Sequence, residues 1–312
     1  MKGADKFQVG ELTDAPPCVG ARRVARVPLV YVVVLHYGDW QSTQQCFGTL
    51  KRLDYPNSQV LLINNSSNNL AFWELTELVP QVELLNNACN LGFAGGSNQG
   101  VCMALRRGAE YVWLLNNDVK VEPRALTAMV VEAEADPRVG AVGSLLVNDD
   151  PGRKLLAWGG GRVSFLLGLP RHVRIGRPTS LHYLCGASLL LRAQAIQDVG
   201  LFDEGYFLYW EDTDLCFRLR AKGWRLAVAE GSVVAHQESG SLGFQSASYD
   251  YHFTRSSMRF FRRHSPCWLW PSIISVSGRM LRRALAGAWE NVCAVWKGFL
   301  EGIAMTPFSD RA

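Results

Sequence analysis

The chain has 312 residues, 48% of them hydrophobic, and a formal net charge of +4. This is one large domain or two small ones, with ample apolar material for a buried core and too little charge to argue for nucleic acid. No apolar run reaches the roughly 18–20 residues that span a bilayer.

Residues 1–25 are polar, carry Pro16-Pro17 and show no periodicity, which predicts a flexible tail. They hold no apolar segment of a signal peptide. Val30 to Leu35 is a continuous β-branched run, the pattern of a strand buried on both faces. Ser42 to Leu53 reads as a helix with Cys46, Phe47 and Leu50 facing inward. SQVLLINNSSNN predicts a second buried strand ending in a polar turn, and AFWELTELV a helix. VELLNNACNLGFAGG predicts a third strand running into a glycine loop. SNQGVCMALRRG then reads as a helix capped by Ser97 or Asn98 and stopped by Gly108. YVWLLNNDV is a fourth strand, and Pro123 sits where a further helix starts.

Alternation of strand and helix predicts a mostly parallel sheet with helices on both faces. Such sheets bind ligands beyond the C-terminal ends of their strands. Polar clusters fall at those ends: His36-Tyr37-Gly38-Asp39, Asn64 to Asn68, Asn90-Leu91-Gly92 and Asn116-Asn117-Asp118. Ordinary turn chemistry is the alternative explanation. From about residue 140 the texture changes to mixed strands and one helix, with a glycine-punctuated insertion around WGGGRVSFLLGLP predicting loops and short strands.

Several chemistries are disfavoured. There is no GxxxxGK[ST] phosphate loop, and HYGDW follows the first strand where a dinucleotide fold carries GxGxxG. The eight cysteines form no CxxC pair and most lie in apolar runs, which predicts buried, reduced thiols and a cytosolic setting rather than a zinc site or disulfide framework. The glycines before the third helix leave amides that an anion at the helix N-terminus would meet.

Asp118, a carboxylate at a strand tip, suits Mg²⁺ or Mn²⁺, which take oxygen ligands and share them with substrate phosphates; a turn cap is the bland alternative. His236 closes the strand SVVAH and would complete the same shell as a neutral imidazole. Glu211, Asp212 and Asp214 crowd the start of LCFRLRAKG. Dipole complementation explains one acid. Asp212 facing a cleft is a candidate general base, with Asp214 as the helix cap.

VVVLHYGDW, VLLINNSSNN, NACNLGFAGGSNQGV, YVWLLNNDVKVEP, LCGASLLLRAQAIQDVGLFDE, YWEDTDLCFRLRAKGWRL and VVAHQESGS occur in this order. Together they resemble the family 2 glycosyltransferases, in their bacterial rhamnosyltransferase-like branch, over about residues 28–264. The resemblance implies the A-type glycosyltransferase fold and inverting transfer of a sugar from a nucleoside diphosphate donor. It places the metal-binding acid at Asp118, the metal-ligand histidine at His236 and the base at Asp212. His36, Tyr37, Asn64, Asn90, Gly92, Asn117 and Asp118 are expected to meet the donor, and Trp158, Gly186, Ala187, Trp210 and Glu211 the acceptor. Arg192 or arginines of the 162–177 insertion are candidates to neutralise the leaving diphosphate. The chain departs from the family pattern at Asn64, where Asp is usual, in having a single carboxylate in Asn116-Asn117-Asp118, and at Gln237, where the branch commonly has a second histidine.

MLRRALAGAWENVCAVWKGFLEG reads as one amphipathic helix with Leu281, Leu285, Ala288, Val292, Val295 and Phe299 on its stripe. Seven arginines and no acid fall between Tyr251 and Trp289. Packing on the catalytic domain or a homodimer contact is one explanation; attraction to an anionic membrane surface is the other.

The expected organisation is a tail at 1–25, a nucleotide-sugar half at 26–135, an acceptor half at 136–264 and a helical segment at 265–312. The expected activity is metal-dependent transfer of rhamnose from dTDP-rhamnose to a glycan or lipid-linked acceptor in polysaccharide assembly, in the cytoplasm or at the inner face of the membrane, with no nucleic-acid partner. A sugar-nucleotide nucleotidyltransferase and a non-catalytic carbohydrate-binding protein are the competing classes.

Overall fold

The computed structural model describes residues 27–66, 71–175, 180–236 and 246–305. The tail at 1–25, Ser67, Asn68 and Gln237 lie outside the described residues. In chain order, β1 (Val30–His36), α1 (Trp40–Leu50), β2 (Ser58–Asn64), α2 (Phe72–Leu78), β3 (Glu83–Asn86), α3 (Gly92–Arg106), β4 (Tyr111–Asn116), β5 (Val119–Val121) and α4 (Ala125–Glu134) come first. Then follow β6 (Val139–Asn148), β7 (Leu155–Trp158), β8 (Gly160–Ser164), β9 (Leu169–His172), β10 (Tyr183–Leu184), β11 (Ser188–Arg192) and α5 (Ala193–Val199). The chain continues with α6 (Glu211–Ala221), β12 (Arg225–His236), α7 (Ala247–His264), α8 (Leu269–Leu285) and α9 (Trp289–Ala304).

The main sheet has the order β3-β2-β1-β4-β11-β6-β12-β5, with β7 added beside β6. Its first part is parallel, as the β-branched runs predict: β1 pairs with both β2 and β4, setting His36 beside Asn64 and Leu35 beside Asn116. The polar tips therefore share one edge. β11 inserts antiparallel between β4 and β6, so the loop entering β11 returns to that same edge. The sheet takes strands from both expected halves, 26–135 and 136–264, and joins them in one core. The glycine-punctuated insertion forms a separate small sheet, β10-β8-β9.

Aliphatic side chains cover both faces. Val30, Val32, Val34, Leu62 and Trp113 pack toward α1 and α4, while Val33, Leu61, Ile63 and Leu114 pack toward α3. The approach of α3 is close: a Cβ on Gly100 would lie 2.4 Å from Val33 Cγ1, and one on Gly96 2.6 Å from Leu35 Cδ1. Glycine at these positions lets the helix axis sit against the sheet.

Four expectations change. The helix predicted from Ser97 begins at Gly92, so Ser97 and Asn98 lie inside it and are buried, not caps; Gly108 does follow its end with φ +80. The single C-terminal helix is two, because Gly287 takes φ +69 between α8 and α9. Leu281 and Leu285 of the expected stripe point outward, while Val295 is buried. The described cysteines are all free thiols, but only Cys46 and Cys216 are buried. Among the described residues, no helix is long and apolar enough to cross a membrane.

Candidate active site

The β4 tip runs through Asn117 into Asp118 and turns directly into β5, which pairs antiparallel with β12 and sets His236 opposite Val119. The result brings Asp118 Oδ1 to 3.2 Å from His236 Nε2. That oxygen is buried and makes no hydrogen bond. Two ligand atoms that face one another without bonding form a donor set suited to a divalent cation. No group of three or more His, Cys, Asp or Glu that could hold a metal gathers among the described residues. Among the described residues the protein side of such a site is this pair, and a bound diphosphate or water would add further oxygens.

Behind Asp118 is a polar brace. Asn117 Nδ2 donates to Thr43 Oγ1 at 2.9 Å, and the same hydroxyl lies 2.7 Å from His36 Nδ1. His36 is 1% exposed, and burial lowers its pKa so that it stays neutral. His36 therefore supports the strand edge from beneath and does not present its ring to a donor. Tyr37, 38% exposed, does reach the surface.

A second amide network shapes the next loop. Asn64 accepts from the Ser66 amide and hydroxyl at 3.1 and 2.9 Å and donates to Asn86 Oδ1 at 2.9 Å. Its neighbour Asn65 is the hub: Nδ2 donates to Asn90 Oδ1 at 3.0 Å and to the Gly92 carbonyl at 2.9 Å, while Oδ1 accepts from the Leu91 amide at 3.1 Å. The cluster NNSS was visible, but the polarity of its two asparagines was not assigned by sequence alone. The start of α3 is not open to an anion. Gly92 N donates to Asn90 Oδ1 and Phe93 N to the Phe207 carbonyl. Gly92 has φ +72 and a Cβ there would meet the Phe207 carbonyl at 2.2 Å, so only glycine fits beneath that strand of chain.

Asp212 stands at the first turn of α6. Its Oδ2 accepts from the Gly186 amide at 2.8 Å, and Oδ1 from the Thr213 amide at 2.5 Å. The next residue, Ala187, takes the Asn116 amide on its carbonyl at 3.2 Å. The Cys185–Ala187 turn thus links the carboxylate of Asp212 to the strand tip bearing Asp118. Burial raises the Asp212 pKa, against these hydrogen bonds that lower it. Glu211 is pushed up further, by burial and by the adjacent Asp212, and its Oε2 has no hydrogen-bond partner. The two carboxyls titrate as a pair, with burial disfavouring charge on both.

Three expected roles are revised. Asp214 is not a cap: it is wholly buried and bridges α6 to α7, meeting Arg218 at 2.8 Å and His264 Nε2 at 2.8 Å. Burial alone would raise its pKa, but His264, Arg218 and Arg263 together hold it below the ordinary carboxylate range. Trp210 turns its ring away from the site into Phe253, Phe260 and Phe261, with centroids 4.7–5.5 Å apart. It and Tyr209 both take left-handed backbone, φ +72 and +67. Such conformations cost about 1–3 kcal/mol each in a non-glycine residue and collect at functional turns. Arg192 pairs opposite Tyr111, at the far end of β4, and donates to the Val139 and Ala133 carbonyls; it is remote from any leaving group. Trp158 sits at the end of β7, half-buried beside Leu145 of β6.

Residues 31–200 match the family described as glycosyl transferase family 2. The chain is 29% identical over 280 residues, 81% of its length and 91% of the relative's, to N-acetylglucosaminyl-diphospho-decaprenol L-rhamnosyltransferase of Mycobacterium tuberculosis H37Rv. It is 22% identical over 250 residues, 75% of its length and 93% of the relative's, to rhamnosyltransferase WbbL of Escherichia coli K12. Among solved structures it is similar to GalNAc-T7 with UDP, GalNAc and Mn²⁺, with TM-score 0.63 and 14% identity, covering 90% of this chain and 57% of that one. It is also similar to the mannosyltransferase PcManGT of Pyrobaculum calidifontis with GDP-Man and Mn²⁺, with TM-score 0.55 and 15% identity, covering 91% and 77%. The fold is that of the A-type glycosyltransferases.

Proposed function

The chain belongs to glycosyl transferase family 2, and from that premise we propose that it is an inverting rhamnosyltransferase acting on a lipid-linked saccharide. The names of the two relatives support the sugar, and that of the mycobacterial one supports an acceptor on a polyisoprenoid diphosphate. dTDP-rhamnose is the donor this reading favours. One observation carries the chemistry: the Cys185–Ala187 turn holds Asp212 by the Gly186 amide and Asn116 by the Ala187 carbonyl. On this reading, one turn ties the proposed base to the strand tip that carries Asp118.

Asp212 takes the proton of the acceptor hydroxyl as the acceptor oxygen bonds to the anomeric carbon. The bond from that carbon to the diphosphate breaks on the opposite face, and the nucleoside diphosphate leaves. The Gly186 and Thr213 donors aim the carboxylate and oppose the pull of burial on its pKa. Burial and the adjacent Asp212 both disfavour a charge on Glu211. Asp118 and His236 are the residues to hold Mg²⁺ or Mn²⁺, which when bound supplies Lewis-acid neutralisation of the leaving diphosphate. Asn90, Tyr37 and the Asn65-braced loop border the space for the nucleotide.

A thermal-shift series of nucleotide sugars, with and without Mn²⁺, tests this. At 100 times its Kd a bound donor stabilises by about 2.7 kcal/mol. dTDP-rhamnose is expected to give the largest shift. If no nucleoside diphosphate sugar moves the transition, the reading fails.

A further inference from the structure

The stretch from Asp203 to Trp210, between α5 and α6, is gripped along its length by α7. Asp203 accepts two parallel bonds from Arg259, Nε to Oδ2 at 2.9 Å and Nη2 to Oδ1 at 2.8 Å. The Gly205 amide donates to Asp203 Oδ1 at 2.9 Å, and a Cβ on Gly205 would lie 2.4 Å from the Arg259 guanidinium carbon. Arg255 Nη1 donates to the Gly205 carbonyl at 3.4 Å, and Ser256 Oγ to the Leu208 carbonyl at 2.8 Å. His252 stacks on the Phe207 ring with centroids 4.9 Å apart.

One side chain joins the two flanks of this stretch. Arg263 Nη1 lies 3.4 Å from Asp203 Oδ2 and 3.6 Å from Asp214 Oδ1. Tyr206 fills the space between them. It is wholly buried, its hydroxyl donates to Asp214 Oδ1 at 3.4 Å, and the Arg259 guanidinium lies 5.6 Å over its ring. Arginines of α7 are thus engaged within the protein, on the acids at either side of the turn.

Between those tied flanks sit Tyr209 and Trp210, both left-handed and directly ahead of Asp212. Glycine would take that backbone without strain. The chain has two large rings there instead, and both rest on α7: Tyr209 on Tyr249 at 5.0 Å and Trp210 on Phe260 at 4.7 Å. Strained backbone persists only where its surroundings over-determine it, and here the surroundings are the α7 contacts. The kink feeds the chain into α6 so that Asp212 Oδ2 meets the Gly186 amide at 2.8 Å. We propose that Arg263, with Arg259, is a positioning residue for Asp212: by pinning both flanks of the turn it holds the kink that aims the carboxylate. This rests on the role of Asp212 as base proposed above.

Neither carboxylate needs Arg263 for its charge to be paired. Without it, Asp203 keeps Arg259, and Asp214 keeps Arg218 and His264. What Arg263 adds is a charged cross-link between the two flanks, so its loss loosens the turn while leaving each acid a partner. A misplacement of about 1 Å costs on the order of 10²-fold in rate, so a small release of the kink registers in the chemistry ahead of the fold. The proposed donor side stands on other elements, with Asp118 just past β4 and His236 at the end of β12. Donor binding should therefore be untouched.

Arg263→Gln in the full chain tests this, with Arg263→Lys as the milder change if the first does not fold. Amide hydrogen exchange followed by mass spectrometry needs no donor, metal or acceptor. Amides from Tyr206 to Thr213 are expected to exchange at least tenfold faster in the variant, with those of β1 and β4 unchanged. Steady-state transfer should then show kcat at least tenfold lower and the donor KM unchanged. Unchanged exchange would overturn the proposal. So would faster exchange with an unchanged kcat, because the arginine would then steady the turn without aiming the base. Failure of both variants to fold would assign Arg263 to stability and overturn it too. A wild-type chain that transfers no sugar from any nucleoside diphosphate donor would instead remove Asp212 as base, and the positioning role with it, whatever the exchange shows.

Discussion

Asp118 Oδ1 and His236 Nε2 face each other at 3.2 Å without a hydrogen bond. Both residues lie at the C-terminal ends of strands that run the same way, Asp118 just past β4 and His236 at the end of β12, and β5, antiparallel to β12, sets their register. In the proposed site, two protein ligands would hold a cation weakly until diphosphate oxygens join it. Mn²⁺ titration by calorimetry is expected to show binding at least tenfold tighter with a nucleoside diphosphate present, and Asp118→Asn to remove that coupling. Equal Mn²⁺ affinity with and without nucleotide would contradict this.

Asp212→Asn keeps the hydrogen-bonding shape but cannot take a proton. Loss of a general base costs on the order of 10²–10⁴-fold in rate, and the donor-induced thermal shift should remain. In the proposed mechanism the active form is the carboxylate, whose pKa is raised by burial. Transfer should therefore fall as pH drops through that raised value, above the ordinary 3.8. A flat profile across mildly acidic pH speaks against Asp212 as base.

Glu211 gives a stability signature of opposite kind. In the unfolded chain it loses its proton near the ordinary 4.5, but in the folded chain only well above that, because burial and Asp212 both disfavour its charge. Stability is thus highest below the unfolded value and declines as pH rises from about 4.5 toward the folded one. Glu211→Gln should flatten this decline, seen as a melting temperature that no longer drops between pH 5 and 8. An unchanged slope would show that Glu211 ionises freely.

Asp214→Asn removes the charge at the centre of a buried cluster that includes Arg218 and His264. Breaking a buried pair by losing one partner costs about 3–5 kcal/mol, so a clear fall in the denaturant midpoint is expected. The native pKa is depressed, so the stability from this carboxylate is present above the ordinary 3.8 and lost as pH falls through the folded value. Acid unfolding of the wild type should therefore share this group's titration. A midpoint within experimental scatter of wild type would dismiss the cluster as stabilising.

The parts of the fold that local pattern determines were legible. Val30 to Leu35 and Tyr111 to Leu115 could only be buried strands, and strand order put their polar ends on one edge. Asp118, His236 and Asp212 were singled out from such ends and from an acid cluster. What local pattern missed depends on distant partners. The glycines of α3 looked like a loop, because the Val33, Leu35 and Phe207 atoms that demand them lie elsewhere in the chain. Asp214 looked like a cap, because His264 is 50 residues away. Arg192 reads as available from the sequence, but β11 runs antiparallel to β4 and carries it to the opposite edge.

The segment that matches the family ends at residue 200, while Asp212 and its buttress Asp214–His264 come after it. The matched portion therefore carries Asp118 but neither His236 nor the proposed base. A graft meant to transplant this chemistry has to move 201–264 as one unit, because the turn bearing Asp212 borrows its rigidity from a helix whose last residue is the one that grips it.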